Sequence, residues 1–151
     1  MPAATAPNAF ILDADEALLE EYSPDKTRYW RDHGIIAVVL MALAGSVLWL
    51  IGSAYPAIGS LGAILAVAVR ASYLASETLS MRWVLTNRRL ILPGGVRSVP
   101  LLDIETVRTL LGDVQVISKS GDKHLLKHMA DSEGVVSRLL AARAACVNQR
   151  S

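Results

Sequence analysis

Hydrophobic residues are spread very unevenly along this chain. Residues 34–69 carry no formal charge over 36 positions, whereas polar residues interrupt the apolar ones on both sides. A helix needs about 20 residues to cross the hydrocarbon core of a membrane, so this run is too long for one span. Gly52-Ser53-Ala54-Tyr55-Pro56 divides it with a turn sequence, and proline suits the first turn of a following helix. The pattern predicts a membrane α-helical hairpin over 32–75, with spans near 32–51 and 56–75.

Residues at the ends of the two predicted spans give their orientation. Aromatic residues, which favour membrane interfaces, lie near the start of the first span and near the connecting loop. The loop has no basic residue, and the basic residues near the spans are Lys26, Arg28, Arg31, Arg70, Arg82, Arg88 and Arg89. The positive-inside rule therefore predicts that both termini are cytoplasmic. The apolar run begins behind an acidic leader of more than thirty residues, which argues against a secretory signal peptide.

Arg70 falls inside the second predicted span, about one turn from its end. Its long side chain can reach the headgroups by snorkelling. A buried functional arginine is the sharper alternative.

Residues 77–151 have the pattern of short strands followed by one helix. Residues 81–86 alternate with a period of two, which places Trp83 and Leu85 on one face. The other short apolar segments are 89–92, 96–101, 104–111, 114–118 and 124–129, separated by glycine-containing or polar turns. The segment ending in Pro100 is expected at a sheet edge. This spacing predicts a small α+β domain, a sheet, sandwich or barrel of short strands.

The period changes at the end of the chain. Asp131 or Ser132 can cap a helix whose apolar positions are Val135, Val136, Leu139, Leu140 and Ala144. Such a helix can cover the apolar face of a small sheet. Cys146, the only cysteine, excludes a disulfide within the chain and is expected to be a buried free thiol.

The N-terminal segment, residues 1–31, is predicted to be cytoplasmic, and residues 1–9 are expected to be disordered. Leu12 and residues 17–19 indicate a short helix or an edge strand. Residues 1–33 have three basic and seven acidic residues, a net charge of −4, while residues 77–151 have eleven and seven, a net of +4. The acidic leader could therefore lie against the basic C-terminal part, or both could be solvated surfaces.

The composition offers little support for an enzyme. There is no glycine-rich phosphate loop and no nucleophile motif, so no cofactor or small-molecule substrate is expected. The acidic leader residues Asp13, Asp15, Glu16, Glu20 and Glu21 are interpreted as a solvated helix face. A formal net charge of +1 and interrupted basic residues argue against nucleic-acid binding.

Two histidines, His124 and His128, are spaced four apart, as in a helical metal pair. No third ligand is evident, so a metal site is not expected. They belong to a basic cluster with Lys119, Lys123 and Lys127, which is expected to be solvated or to bind a partner or lipid.

The segment WVLTNRRLIL, residues 83–92, is followed by a second block that contains Asp103-Ile104 and Val107. These two blocks resemble the bacterial pleckstrin-homology-like (PH-like) domain, in which an aromatic-x-Leu-Thr-Asn-Arg-Arg strand pair precedes an Asp-Ile-x-x-Val block. The residues that mark this fold are Trp83, Thr86, Asn87, Asp103 and Ile104. The family often has two membrane spans before the domain, and its leader often has a glutamate followed by proline and tyrosine, echoed by Glu16, Pro24 and Tyr29. The resemblance covers roughly residues 10–145.

The resemblance implies a bent antiparallel barrel of short strands, capped by a C-terminal helix, on a protein of the bacterial inner membrane. The function we expect is that of a non-enzymatic scaffold, assembly factor or accessory subunit that docks a membrane-protein partner or forms a homo-oligomer. The alternative is a sensor of anionic lipids.

The residues that could contact lipid or a partner are basic: Arg82, Arg88, Arg89, Lys119, Lys123 and Lys127. For Arg88 and Arg89 a structural role is the other interpretation, with Asn87-Arg88 forming a turn and one arginine pairing with Asp103 or Glu105. Within the spans, Gly45, Gly52, Gly59 and Gly62 could allow close packing against a partner helix.

Overall fold

The computed structural model describes residues 10–151, and the predicted disorder of residues 1–9 lies outside them. The chain forms two compact units, one of residues up to Pro24 together with Met81–Ser151, the other of Asp25–Ser80. The predicted division at 1–31, 32–75 and 77–151 follows chain order. The structure instead joins the leader to the C-terminal part, because the leader supplies a strand of its sheet.

The unit Asp25–Ser80 is a pair of long helices, α1 (Lys26–Leu50) and α2 (Pro56–Ser80). The side chain of Asp25 caps α1 by accepting a hydrogen bond from the Arg28 N–H at 2.7 Å. Gly52, with φ of 75°, makes the turn between the helices. Both helices are long and apolar enough to cross a membrane.

Small residues bring α1 and α2 together. A Cβ on Gly45 would lie 2.6 Å from Ser60 Oγ, and one on Gly59 would overlap the Leu48 side chain. The Ser60 hydroxyl also donates to the Met41 carbonyl at 3.2 Å. Gly45 and Gly59 therefore serve packing within the hairpin. Gly52 and Gly62 both face open space, but Gly52 lies in the turn, so of the four predicted glycines Gly62 is the one on a helix that is open to a partner helix.

The other unit contains two antiparallel sheets. The first has the order β1-β2-β3-β4, and the second β5-β6-β7. The bounds are β1 Leu18–Tyr22, β2 Trp83–Thr86, β3 Arg89–Ile91, β4 Ser98–Pro100, β5 Ile104–Leu110, β6 Asp113–Ser118 and β7 Lys123–Leu126. The edge strand considered for the leader is confirmed as β1, and the segment ending in Pro100 is confirmed as an edge strand.

The last predicted strand, 124–129, is shorter in the structure and ends at Leu126. His128 has φ of 55°, and its N–H donates to Asp113 Oδ1 at 2.9 Å, so the chain turns away from the sheet there. A 3₁₀ turn over Leu101–Asp103 connects the two sheets.

Helix α3 (Ser132–Asn148) packs one face on the core of the β unit. Asp131 caps it, as predicted, by accepting a hydrogen bond from the Gly134 N–H at 3.0 Å. The buried positions are Val135, Leu139, Ala142 and Cys146, so the expected buried thiol is confirmed. Leu140 and Ala144, predicted to be part of the buried stripe, are exposed. The helix has small apolar residues on several faces, and the sequence pattern could not select the face that is covered.

Candidate functional site

The block Thr86-Asn87-Arg88-Arg89 forms the β2–β3 turn and holds the N-terminal leader. The Glu16 carboxylate, whose side chain is 0% exposed, is the centre of this contact. Arg89 donates to it from Nε at 2.9 Å and from Nη2 at 2.9 Å, a bidentate arrangement. The Thr86 hydroxyl donates a third bond to Glu16 Oε1 at 2.6 Å. The buried negative charge of Glu16 is thus paired by three hydrogen bonds from these two residues of the β2–β3 turn.

Local hydrogen bonds bring Glu16 to the turn. The Glu16 N–H donates to the Asp13 carbonyl at 3.0 Å, and the Asp13 N–H donates back to Glu16 Oε2 at 3.1 Å. Asn87 makes two hydrogen bonds to Ala17, the residue after Glu16. The Asn87 Oδ1 accepts from the Ala17 N–H, and the Asn87 backbone N–H donates to the Ala17 carbonyl, each at 3.0 Å. Strand β1 follows directly and pairs with β2 from Leu18 onward.

The contact shifts the pKa of both charged partners. Hydrogen bonding to Arg89, assisted by Thr86 and Asp13, lowers the pKa of Glu16 to about 2 despite its burial. Hydrogen bonding to Glu16 raises the pKa of Arg89. Glu16 therefore stays ionised, and its carboxylate binds Arg89 within the fold.

Acid is expected to remove the contribution of Glu16 to stability. Because the pKa of Glu16 is lowered in the folded state, this contribution is complete above its unfolded value of 4.5 and is lost as pH falls toward about 2. We expect the difference in unfolding free energy between wild type and Glu16→Gln to shrink steadily across this window. Chemical denaturation at several pH values measures it, and a difference that stays constant would contradict the assignment.

Two sequence predictions for this region are wrong. No arginine pairs with Asp103 or Glu105 among the described residues, because the partner of Arg89 comes from the leader. Glu16 is buried, so it does not belong to a solvated acidic face. Of the two arginines in this turn, Arg88 remains available to a ligand, since its side chain is 52% exposed and its ion pair with Asp15 is long, at 3.9 Å.

The predicted basic contacts do not form one patch. Arg82, the residue before β2, pairs with Glu21 of β1 at 3.4 Å. Lys119, Lys123 and Lys127 are exposed around β7. No group of three or more possible metal ligands occurs within residues 10–151.

The remaining fold-marking residues have structural roles. Trp83 and Ile104 are buried in the core. The Asp103 carbonyl accepts a hydrogen bond from the Lys119 N–H at 2.7 Å, which ties the 3₁₀ turn to the end of β6.

A groove of about 640 Å³ lies where the two sheets end, between β4 and β7. Its lining is mainly polar and comes from both edge strands, the end of β6 and the neighbouring turns: Leu92, Val96, Arg97, Ser98, Val99, Pro100, Asp103, Ser118, Ser120, Asp122, Lys123 and His124. Of these, the sequence pointed only to Asp103, Lys123 and His124. The others become neighbours only through the meeting of the sheets.

Hydrogen-bond register shows which backbone groups of β4 are free. The Leu92 N–H donates to the Arg97 carbonyl, and the Leu101 N–H donates to the Arg88 carbonyl, each at 2.9 Å. Backbone hydrogen bonding alternates along an antiparallel pair. The backbone groups of Val99 therefore bond to β3, whereas those of Ser98 and Pro100 point to the free edge. Pro100 has no N–H, so Ser98 is the only donor of β4 on that edge.

The same reasoning applies to β7. The Ser118 N–H donates to the Asp122 carbonyl at 2.9 Å, so His124 and Leu126 bond to β6. Lys123 and Leu125 therefore direct their backbone groups away from the sheet. The groove is bordered by two strand edges with unused backbone hydrogen-bonding groups.

A second cavity, of about 500 Å³, lies beside the turn that holds the leader. It is lined by Asn87, Arg88, Arg89, Pro100, Leu102, Cys146, Gln149 and Arg150. Arg88 and Arg150 are the basic groups on its wall that are not already bound to Glu16.

Comparisons with protein-family models, with curated proteins and with solved structures find no match for this chain.

Proposed function

We propose that this chain is a non-enzymatic docking protein of the bacterial inner membrane, a scaffold, assembly factor or accessory subunit. Its helical hairpin anchors it, and its PH-like β unit binds an extended segment of a membrane-protein partner in the cytoplasm. The observation that carries this proposal is the groove between two free strand edges, β4 and β7.

The exposed surface of the hairpin supports the membrane anchor. The most apolar windows of α1 and α2 are 0% and 6% buried, so this surface would face water in a soluble protein. Leu43 is 58% exposed and Trp49 is 73% exposed. Burial of such surface in lipid avoids the cost of exposing it to water.

Strand pairing supports the placement of both termini on one side. The chain leaves the β unit at Tyr22 and returns to it at Trp83, and these two residues are partners in register. Residues 10–22 and 83–151 therefore lie on the same side of any membrane that the intervening helices cross. The basic residues near the helix ends favour the cytoplasmic side.

The PH-like assignment is supported by the arrangement of the β unit. Two small antiparallel sheets precede a helix that packs on their common core, as the resemblance implies. The Thr-Asn-Arg-Arg block binds the leader glutamate, so two features of the resembling pattern meet in one contact.

Docking of an extended segment is the chemistry that the groove favours. Free strand edges bind peptides by adding a strand, in which backbone bonds supply affinity and flanking side chains supply selectivity. The groove is long enough to have residues of β4, β6 and β7 on its walls. Its lining includes two cations, Arg97 and Lys123, and two acids, Asp103 and Asp122, so its charge favours a segment with both signs.

The lipid-sensor alternative depends on the second cavity. Arg88 and Arg150 could hold an anionic headgroup there, and each basic group near a membrane surface contributes about 1 kcal/mol. Arg89 does not add to this site, because its guanidinium is already bound by Glu16. Salt-sensitive binding to anionic vesicles that is lost in Arg88→Ala but kept in Ser98→Pro would favour this alternative.

Ser98→Pro is expected to weaken partner binding roughly five- to tenfold, because it removes the one N–H that β4 offers at its free edge. Ser98→Ala is the matched control, since it loses the hydroxyl but keeps this N–H. The measurement is purification of the full chain in mild detergent, with quantification of co-purifying proteins by mass spectrometry.

Thermal unfolding of both variants, followed in parallel, separates lost binding from lost folding. Equal partner recovery from wild type and a folded Ser98→Pro protein would contradict docking at β4.

A further inference from the structure

The hairpin has an apolar groove that ends at its one charged residue between positions 34 and 75, Arg70. The groove has a volume of about 650 Å³ and runs between α1 and α2. It exists because Ala44, Ala63 and Ala66 have only methyl side chains and leave the space between the helices unfilled. The larger lining residues are Leu40, Leu43, Val47, Leu48 and Val67.

Arg70 is exposed, so the structure does not bury it as a functional arginine inside the hairpin. Among the described residues it has no hydrogen bond or ion pair. The nearby acid of α1, Asp32, is within 4 Å of Arg28 and Arg31 instead, at 3.7 and 3.6 Å. The guanidinium, always charged, is therefore available to a partner from outside the described residues.

The packing of the two helices gives the depth of Arg70. The Tyr29 hydroxyl donates to the Ala71 carbonyl at 2.8 Å, and Tyr29 lies in the first turn of α1. Arg70 is therefore near the end of the hairpin at which α1 begins, the end that carries Trp30. An aromatic residue there is typical of the headgroup level.

We propose that this groove binds one anionic phospholipid, with its phosphate on Arg70 and an acyl chain along the apolar walls. This inference rests on the membrane anchor of the proposed function. The groove extends over eight residues of α2 and nine of α1, roughly 11–12 Å at the helical rise. That length covers most of one leaflet, since the hydrocarbon core is about 30 Å thick. Guanidinium binds phosphate oxygens in a bidentate manner, which an ammonium cannot do.

The test measures phospholipid retained by the full chain. Protein in mild detergent is titrated with phosphatidylglycerol, and bound lipid is counted by native mass spectrometry. We expect one tightly held lipid per wild-type chain. Arg70→Gln, which removes the charge, and Ala66→Leu, which fills the groove, are each expected to raise its apparent Kd roughly tenfold or more.

Matched controls change the same kinds of group elsewhere in the hairpin. Arg31→Gln removes a charge near the start of α1, and Ala68→Leu adds the same volume outside the groove; both are expected to retain the lipid. Inorganic phosphate is not expected to displace the lipid, because it cannot fill the apolar walls.

Two results would overturn the proposal. One is lipid retention that is unchanged in both Arg70→Gln and Ala66→Leu. The other is unchanged lipid retention with loss of a co-purifying protein in Arg70→Gln, which would assign Arg70 to an acidic group of a partner helix. Failure of the membrane anchor itself is distinguishable, since the chain would then be released from membranes by alkaline carbonate.

Discussion

Residues 77–151 produced alone are expected to be unfolded or aggregated, although they contain every strand and helix of the β unit except β1. Without the leader, β2 loses its neighbour on one side, and Tyr22 leaves the core, where it is 4% exposed. Arg89 also loses the carboxylate that binds it. The sum of these losses is comparable with the total stability of a small domain, about 5–15 kcal/mol.

A chain in which a linker replaces the helical hairpin provides the control. Residues 10–24 joined to residues 81–151 through a short glycine-serine linker restore β1 beside β2, because Tyr22 and Trp83 are adjacent in register. We expect this protein to be monomeric and folded, with a cooperative thermal transition and dispersed amide resonances. Cooperative folding of 77–151 without the leader would show that β1 is dispensable.

Glu16→Gln is expected to have the second largest effect, a loss of roughly 3 kcal/mol of unfolding free energy. The substitution keeps the shape of the side chain but removes the charge that binds Arg89, and the loss of one partner of a buried pair is costly. Urea denaturation in a mild detergent, followed by Trp83 fluorescence in a background with Trp30→Phe and Trp49→Phe, measures this loss.

The matched control is Glu21→Gln. Glu21 has the same side chain and lies in the same leader, on β1, but it is 50% exposed and lies 3.4 Å from Arg82. A surface pair of this kind contributes about 0–1 kcal/mol, so little change is expected. Similar losses for the two glutamine variants would contradict the special position of Glu16.

The pair can be tested further with Arg89→Met. If Glu16 and Arg89 act together, the double variant with Glu16→Gln should be more stable than the sum of the single losses predicts. Additive losses would mean that each residue stabilises the unit independently.

Local features of this fold were predictable from its sequence. The strands β2 to β7 follow short apolar segments separated by turn residues, and α3 begins at the aspartate expected to cap it. The two long helices follow from the uncharged run and its interruption before Pro56. These signals lie within a few residues of the element that they specify.

The leader contact was not predictable in the same way. Glu16 and Arg89 are separated by 73 residues and by the whole helical hairpin, and nothing near Glu16 distinguishes it from the exposed acids around it. The hints were the opposite net charge of the two segments and the leader glutamate of the PH-like pattern, and neither of them predicts that Glu16 pairs with Arg89. The groove was missed for a similar reason, because Ser98 and Lys123 become neighbours only when the two sheet edges meet.

The Thr-Asn-Arg-Arg block illustrates how a basic motif can be mistaken for a ligand site. Two adjacent arginines shortly after a predicted membrane span suggest anion binding, yet Arg89 is bound by Glu16, and Thr86 positions both residues. Only Arg88 keeps an exposed guanidinium. The motif acts chiefly to attach the leader, and the proposed docking groove lies instead between β4 and β7.

Site-specific photocrosslinking in intact cells tests docking in this groove most directly. A photoreactive residue at Arg97, on the groove wall, is compared with one at Leu111, which is 98% exposed at the β5–β6 turn and does not line the groove. We predict that Arg97 crosslinks to one extended segment of a membrane-protein partner, that Ser98→Pro weakens this crosslink, and that Leu111 gives none. Crosslinks from Arg97 only to lipid, or the same products from both positions, would contradict the account.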